Sequence, residues 1–179
     1  VEVDGKTYPL LDMKFPTIDP KDPLKLTEQE AELLQTLKMS FRHSGLLHKH
    51  IKFLYSHGSM YKCCNNNLLY HGCIPLKKDG SFDDIVFYGI PYSGKALMDF
   101  VDQMVQSAYF LPESNPDKGV ASDFMWYLWC GAKSPLFGKE KMTTFEHYFI
   151  EDNATHKEAM NPYYQLSEKE DCCRKILKE

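Results

Sequence analysis

The longest helical pattern in the sequence lies between residue 93 and Pro112. Apolar side chains recur there every three or four positions: Leu97, Phe100, Val101, Met104, Val105, Ala108 and Tyr109. This spacing places them on one face of an amphipathic helix, and a proline ends such a pattern because it lacks a backbone N–H. Further on, Trp126 and Trp129 stand three residues apart in the apolar run "SDFMWYLWCG". This run predicts a short buried helix ended by Gly131.

Two more helices are predicted before residue 60. Thr27 is followed three residues later by Glu30, the spacing of a capping box, so the first helix is expected to begin after Thr27. A break at Ser44 separates it from a second helix, which is expected to end at Gly58. The second helix is expected to bury one apolar stripe, formed by Leu47, Ile51 and Leu54.

Strand patterns are few and short. The start, "VEVDGKTY", alternates apolar and polar residues around Asp4-Gly5, a pair typical of a tight hairpin turn. Residues 67–71 indicate a short buried strand, and "DIVFYGIPY" is a second strand-like run, interrupted by Gly89 and Pro91. The pattern therefore predicts the α+β class, mostly helical with a few short strands.

We expect the 179 residues to form one partial domain of four segments. Residues 1–26 are a hairpin and an extended connector, and residues 27–66 are a helical insertion. Residues 67–92 form a strand-loop-strand segment, and residues 93–179 form a helical segment. The sequence begins without methionine and stops within a helical pattern, so we expect an interior piece of a longer protein.

The basic residues are concentrated in one window of the sequence. The net charge of the chain is −4, which argues against a general nucleic-acid binder, and no apolar run is long enough to span a membrane. Between Leu33 and Lys78, however, the chain has no Asp or Glu, seven Lys or Arg, and five of its seven His. Two interpretations remain open: a solvated basic face, or a place where a small, strongly anionic ligand binds.

The six cysteines do not have the spacing of a secreted disulfide scaffold. They include two adjacent pairs, Cys63-Cys64 and Cys172-Cys173. We therefore expect a reducing compartment, the cytoplasm. Adjacent cysteines also converge poorly on one ion, which argues against a structural zinc site near Cys73.

His71 is the main candidate for chemistry. A lone histidine at a strand end is most often a core residue with satisfied hydrogen bonds, but three local features favour a ligand. The residue follows a predicted strand, Gly72 permits a close backbone approach, and Pro75 stiffens the exit. A neutral imidazole is a common metal ligand. The residues themselves do not identify its partners.

The segment "GAKSPLFGKEKM" contains two glycines and three lysines, which invites comparison with a phosphate-binding loop. Six residues separate Gly131 from Gly138, where the phosphate-binding motif has four, and Glu140 stands in place of the required hydroxyl. We therefore expect an exposed loop, whose lysines are available to an anionic substrate.

Several stretches of the sequence resemble one enzyme family. The segment "HGCIP" is similar to the "HGG-L/I-x-P" segment of calcineurin-like metallophosphatases. Longer stretches resemble class 3 fructose-1,6-bisphosphatases, the type found in Firmicutes and some other bacteria: "SFRHSGLLHKHIKFLYSHGSMY", "NNLLYHGCIPL" and "DFMWYLWCGAKSPLFGKEKMTTFEHYFIED".

The resemblance implies that the whole protein hydrolyses fructose 1,6-bisphosphate to fructose 6-phosphate and phosphate, a step of gluconeogenesis, with a pair of divalent metal ions, typically manganese. It implies a metallophosphatase α/β sandwich with helical insertions, and it assigns His71 as one metal ligand. The superfamily's Asp-x-His, Gly-Asp-x-x-Asp, Gly-Asn-His and late Gly-His motifs do not occur in these residues. The other ligands are therefore expected in the remainder of the parent chain, and these residues alone are expected to be inactive.

Four cations in the acid-free window are candidates for contact with a substrate phosphate, although no motif selects among them: Arg42, Lys49, Lys52 and Lys62. Two other functions remain open. One is a non-catalytic helical domain that binds anions or a partner. The other is a calcineurin-like phosphatase that acts on another phosphorylated substrate.

Overall fold

The structure is a computed structural model that describes residues 1–179. Its contacts divide the chain into two compact units, Val1–Gly58 with Phe145–Thr155 and Ser59–Thr144 with His156–Glu179. Helices hold far more residues than strands, which confirms the expected α+β class. The assignment of the chain to one partial domain of four segments stays a prediction.

The elements are seven α-helices, one 3-10 helix and six short strands. The α-helices are α1 (Glu28–His43), α2 (Gly45–His57), α3 (Gly94–Phe110), α4 (Pro116–Cys130), α5 (Thr144–Phe149), α6 (Tyr163–Leu166) and α7 (Glu170–Lys178); the 3-10 helix is Asn153–His156. The strands are β1 (Glu2–Val3), β2 (Lys6–Thr7), β3 (Tyr61–Cys64), β4 (Asn67–Tyr70), β5 (Asp84–Phe87) and β6 (Ile90–Ser93). None of the helices has the length and apolar character needed to cross a bilayer.

The first unit begins with the expected hairpin. Strands β1 and β2 pair antiparallel, with Val3 opposite Lys6. Asp4 and Gly5 form the turn, with φ values of 50° and 76°. Because both central residues have positive φ, the Asp-Gly pair suits this two-residue turn and sets the register of the strands.

Local capping fixes the ends of α1 and α2. The Oγ1 atom of Thr27 accepts from the N–H of Glu30 at 3.3 Å, and the N–H of Thr27 donates to Glu30 Oε2 at 2.8 Å. Ser44 ends α1 and also caps α2, where its Oγ accepts from the N–H of Leu47 at 3.3 Å. Gly58 follows the last residue of α2. The capping box, the break and the end of the second helix are therefore confirmed.

The expected core stripe of α2 is wrong. Leu54 is 56% exposed, Leu47 and Ile51 are only partly buried, and neither α1 nor α2 contains a buried residue. Helical spacing identifies an apolar face, but burial also requires another element packed over that face. In this structure nothing covers the two helices closely enough to bury their apolar side chains.

The core of the second unit forms where α3 packs on α4. Leu97 and Val101 of α3 are 0% exposed, and they belong to one cluster with Phe124 and Leu128 of α4. This arrangement confirms the amphipathic helix expected after residue 93. The other buried members of the cluster are Met60, Ile74, Leu76, Ile85, Met98, Phe100, Cys172 and Ile176.

The two tryptophans of α4 do not lie in this core, contrary to the expectation of a buried helix. Trp126 is 67% exposed and Trp129 is 58% exposed, and their rings contact each other edge to face at 5.0 Å. The buried face of α4 is instead formed by residues three or four positions apart: Ala121, Phe124 and Leu128. Every side chain of residues 124–130 is apolar, so spacing alone did not reveal which side of the helix faces the core.

Strands β3 and β4 form a hairpin that differs from the expectation in two ways. β3 lies inside residues 27–66, which were expected to be helical, and pairs with β4 through Tyr61 opposite Tyr70. The turn consists of Asn65 and Asn66, with φ values of 50° and 61°. β4 is only half-buried rather than buried, because its side chains alternate between exposed and partly buried positions.

The run "DIVFYGIPY" forms the second hairpin of this unit. β5 and β6 pair antiparallel, with Phe87 opposite Ile90. Tyr88 and Gly89 form the turn, with φ values of 48° and 80°. Gly89 therefore separates two paired strands rather than interrupting one.

We predict that Leu97→Ala lowers the free energy of unfolding by about 2–5 kcal/mol, because it opens a cavity in the α3–α4 core. Leu177→Ala is the matched control, since this leucine also lies in a helix but is 68% exposed. Its expected effect is within about 0.5 kcal/mol. Chemical denaturation of the 179-residue chain compares the two variants. Equal effects would contradict the assignment of Leu97 to the core.

Candidate functional site

His71 lies directly after β4, where the chain passes from an exposed hairpin into a buried segment. The histidine is exposed, whereas Cys73, Ile74, Pro75 and Leu76 are buried. Its imidazole makes no hydrogen bond within the chain. The ring is therefore accessible at the edge of a well-packed segment, which is the reverse of a satisfied core histidine.

Hydrogen bonds from its backbone to three other stretches of the chain hold the buried segment. The N–H of Cys73 donates to the carbonyl of Pro135 at 2.8 Å. The carbonyl of Pro75 accepts from the N–H of Asp83 at 2.9 Å. The N–H of Leu76 donates to the Oδ1 atom of Asn161, a buried side chain, at 3.0 Å. Each anchor lies on a different stretch of the second unit, so the segment is fixed from several directions.

Gly72 permits the closest of these approaches. Its φ is +88°, a backbone conformation that side chains with a Cβ rarely adopt. A Cβ at this position would lie 2.1 Å from the carbonyl oxygen of Pro135, far inside the sum of their contact radii. The glycine of "HGCIP" therefore has a steric role: it lets the chain turn against Pro135 immediately after His71.

The opposing stretch is residues 131–138, hereafter the 131–138 loop, and it corrects the expectation of an exposed loop. Ser134 is 0% exposed, and Pro135 and Gly138 are also buried. The Oγ atom of Ser134 donates to the carbonyl of Leu128 at 2.6 Å and accepts from two backbone N–H groups at 3.3 Å, those of Leu136 and Phe137. Sequence spacing did not indicate this burial, because the partners of Ser134 are backbone atoms of the same loop and of α4.

Two lysines in and beside this loop, Lys133 and Lys139, bind carboxylates of the same unit. Lys133 donates to Asp83 Oδ1 at 3.0 Å. Lys139 pairs with Glu158 at 2.5 Å, and Glu158 also accepts from the N–H of Thr143 at 2.9 Å. These contacts hold the pKa of Glu158 down at about 2, chiefly through Lys139. Lys133 and Lys139 are therefore already paired with carboxylates of the chain, contrary to the expectation that they are available to an anionic substrate.

The thiol of Cys73 does not extend the site around His71. Burial raises its pKa to about 12, so the side chain is a neutral thiol at physiological pH. Metal ions bind the thiolate form of cysteine. Cys73 is therefore a packing residue.

The donors of this chain do not fit a metal ion without further ligands. Nowhere in the structure do three or more His, Cys, Asp or Glu side chains converge in a way that would hold one. His71 offers a single exposed imidazole, whereas a metal site in a protein normally needs three or four protein ligands. These residues alone therefore do not hold a metal ion.

The structure does not bring the four candidate cations together in one unit. Arg42 lies in the last turn of α1, and Lys49 and Lys52 lie on α2, all in the first unit. Lys62 lies on β3 in the second unit, opposite Leu69, two residues before His71. All four side chains are exposed. Lys62 is thus the candidate that shares a hairpin with the strand leading to His71.

A cavity of about 550 Å³ lies on the face of this hairpin opposite Lys62. The sequence did not predict it. It is bounded by β3 and β4, the start of α3 and the end of α7. Its lining is mainly apolar and includes Leu68, Tyr70, Phe82, Met98 and Ile176, with Lys95 at the start of α3. His71 is not part of the lining. This cavity and the candidate site are therefore distinct.

Comparisons with known proteins give a consistent result. The model of a family described as "Firmicute fructose-1,6-bisphosphatase" matches residues 1–179. Proteins named "Fructose-1,6-bisphosphatase class 3" from Finegoldia magna, Clostridium tetani and Bacteroides fragilis are 49%, 51% and 48% identical to the chain, over 99%, 100% and 98% of its length. The aligned region is 27%, 27% and 26% of those proteins, so the chain spans about a quarter of their length. No solved structure matches the chain.

We predict that Glu158→Gln destabilises the chain at neutral pH and that this effect disappears in acid. A carboxylate whose pKa is lower in the folded state stabilises the fold above its ordinary pKa of 4.5, and the stabilisation is lost as pH falls toward about 2. The measurement is the free energy of unfolding of wild type and variant between pH 2 and 7. Glu151→Gln, at an exposed glutamate, is the control. A Glu158→Gln effect that is constant across this range would contradict the assigned role of the carboxylate.

Proposed function

The chain belongs to the Firmicute fructose-1,6-bisphosphatase family, and we propose that the whole protein hydrolyses fructose 1,6-bisphosphate to fructose 6-phosphate and phosphate. The observation that carries the proposal is a match along all 179 residues, with identities near 50% to proteins that bear this name. The matched region includes His71, the residues Gly72 and Cys73 that follow it, and the 131–138 loop, whose Pro135 carbonyl contacts both of those residues.

We propose His71 as the ligand that this chain contributes to a divalent metal site, with manganese as the expected ion. The exposed imidazole has no hydrogen-bond partner in the chain, so its lone pair is available. A pair of such ions orients a water molecule and neutralises charge on the phosphoryl oxygens. The other ligands have to come from outside these residues, because no cluster of donors forms within them.

The second contribution proposed for this chain is electrostatic. Lys62, on the hairpin that leads to His71, is the first candidate for contact with a substrate phosphate. Arg42, Lys49 and Lys52 are further candidates, since they are exposed and lie in a window without acidic residues. A sugar bisphosphate is small and strongly anionic, so cations near the transferred phosphoryl group favour both its binding and the charge that develops during hydrolysis.

The same family membership supports three broader proposals about the whole protein. Its fold is a metallophosphatase α/β sandwich in which α1 and α2 belong to a helical insertion. Its reaction serves gluconeogenesis. Its compartment is the cytoplasm, which agrees with six cysteines that form no disulfide in the structure.

A non-catalytic role is the second candidate function. The observation that favours it is the lack of any group of three metal-binding side chains in the structure. In that case the exposed cations would bind an anion without hydrolysing it. Calorimetry separates the two functions: tight binding of fructose 1,6-bisphosphate by the whole protein without metal and without phosphate release would favour the binding module.

We predict that His71→Ala, made in the whole protein, lowers phosphate release from fructose 1,6-bisphosphate by about 100-fold or more, because loss of even an indirect metal partner costs 10- to 100-fold. His57→Ala is the matched control, because His57 also precedes a glycine and is exposed. Its ring lies 2.9 Å from Ser56 Oγ and 3.1 Å from the carbonyl of Phe53, contacts local to α2. This control should stay close to wild type.

Three results would contradict parts of this proposal. Near-normal turnover by His71→Ala would exclude the role as a metal ligand. Equal losses in His71→Ala and His57→Ala would point to general destabilisation. Release of phosphate from other phosphorylated substrates, but not from fructose 1,6-bisphosphate, would support the phosphatase activity and contradict the proposed substrate.

A further inference from the structure

We propose that the 131–138 loop positions His71 for the reaction, with Ser134 and Pro135 as positioning residues that act through Gly72. This inference rests on the function proposed above. Neither Ser134 nor Pro135 touches substrate in this proposal; both act only on the backbone that carries the imidazole.

The geometry that points to this role is the lack of any other support for the imidazole. A metal-binding histidine usually donates its second ring N–H to a carboxylate or a carbonyl, which fixes the orientation of the ring. The imidazole of His71 has no such partner in the chain. Within these residues, its position depends on the backbone on either side of it.

That backbone is held on one side by the loop. The N–H of Cys73, two residues after His71, donates to the carbonyl of Pro135 at 2.8 Å. The Cα of Gly72 approaches the same carbonyl so closely that a Cβ would lie 2.1 Å from its oxygen. Any shift of the Pro135 carbonyl therefore moves the residue next to His71.

Ser134 determines where the Pro135 carbonyl points. Its buried Oγ joins the carbonyl of Leu128, at the buried face of α4, to the N–H groups of Leu136 and Phe137. Its own carbonyl accepts from the N–H of Gly138 at 2.9 Å. One side chain thus ties the loop to the core helix and closes the turn that contains Pro135.

The loop is also fixed at its far end. The carbonyl of Gly138 accepts from the N–H of Asn161 at 2.9 Å, and Asn161 Oδ1 accepts from the N–H of Leu76 at 3.0 Å. Leu76 belongs to the same buried segment as Cys73. The loop and the segment after His71 are therefore joined twice, directly through Pro135 and indirectly through Asn161, which leaves little freedom for the backbone next to the imidazole.

The experiment compares two glycine variants of the whole protein, Gly72→Ala and Gly89→Ala. Both glycines have nearly the same positive φ, +88° and +80°, so both variants carry similar backbone strain. Only Gly72 faces a neighbour, since nothing lies within 4 Å of a Cβ at Gly89. The difference between the two variants therefore reports the contact with Pro135 rather than the strain.

A milder pair tests Ser134. Ser134→Ala removes the buried hydroxyl that orders the loop, and Thr155→Val removes another buried hydroxyl, which donates to the carbonyl of Asp152 in the other unit. Both hydroxyls lie on buried side chains, with exposures of 0% and 4%. This pair keeps the comparison informative if Gly72→Ala does not fold.

Three quantities are measured for each variant: the affinity for manganese by calorimetry, kcat for phosphate release, and the melting temperature. Hydrogen exchange of peptides that cover residues 72–77 adds a local readout. We expect both Gly72→Ala and Ser134→Ala to weaken manganese binding at least tenfold and to speed hydrogen exchange in residues 72–77. Gly72→Ala should also lower kcat by about 100-fold. Gly89→Ala and Thr155→Val should leave manganese affinity and kcat near wild type.

Several outcomes would decide against the inference. Unchanged manganese affinity in a Gly72→Ala protein that has lost thermal stability would reduce the contact to simple packing and overturn the positioning role. Manganese binding that is insensitive to His71→Ala would overturn it as well, together with the metal role of His71. If the wild-type protein instead releases phosphate from another ester, and Gly72→Ala abolishes that release, the positioning role is supported and only the substrate proposed above fails.

Discussion

The arrangement around His71 depends on one close backbone contact, between Gly72 and the carbonyl of Pro135. This contact exists only because the residue after the histidine has no side chain, and because the chain turns there with positive φ. It lets an exposed hairpin end directly against a buried segment. The exposed imidazole of His71 therefore lies only two residues before the buried segment that begins at Cys73. A ligand can reach the ring, while the backbone beside it is fixed.

Much of the local structure could be predicted because its causes are local. The capping box of Thr27 and Glu30, the break at Ser44 and the Asp4-Gly5 turn each involve residues within four positions of one another. The amphipathic helix α3 was predictable from spacing, and its core face is confirmed. The resemblance to class 3 fructose-1,6-bisphosphatases is also confirmed, since it rested on long matching stretches.

What could not be predicted depends on distant partners. β3 forms because Tyr61 and its neighbours pair with β4, and the Asn65-Asn66 turn between them is a weaker sequence signal than Asp-Gly. The burial of Ser134 follows from packing on α4, and the Pro135 carbonyl that faces Gly72 lies more than sixty positions away in the sequence. The exposure of Trp126 shows the same limit, because an apolar run does not show which side of a helix meets the core. The metal role of His71 and the phosphate contacts of Lys62, Arg42, Lys49 and Lys52 stay predictions.

The largely exposed apolar faces of α1 and α2 have a thermodynamic consequence. The denaturant m-value and the heat-capacity change of unfolding scale with the surface that becomes newly exposed. Helices that bury no residue expose little additional surface when they unwind, and isolated helices of this length are marginal in water. A calorimetric or denaturant transition of this chain therefore reports the melting of the α3–α4 core, while α1 and α2 unwind gradually, without a sharp midpoint of their own.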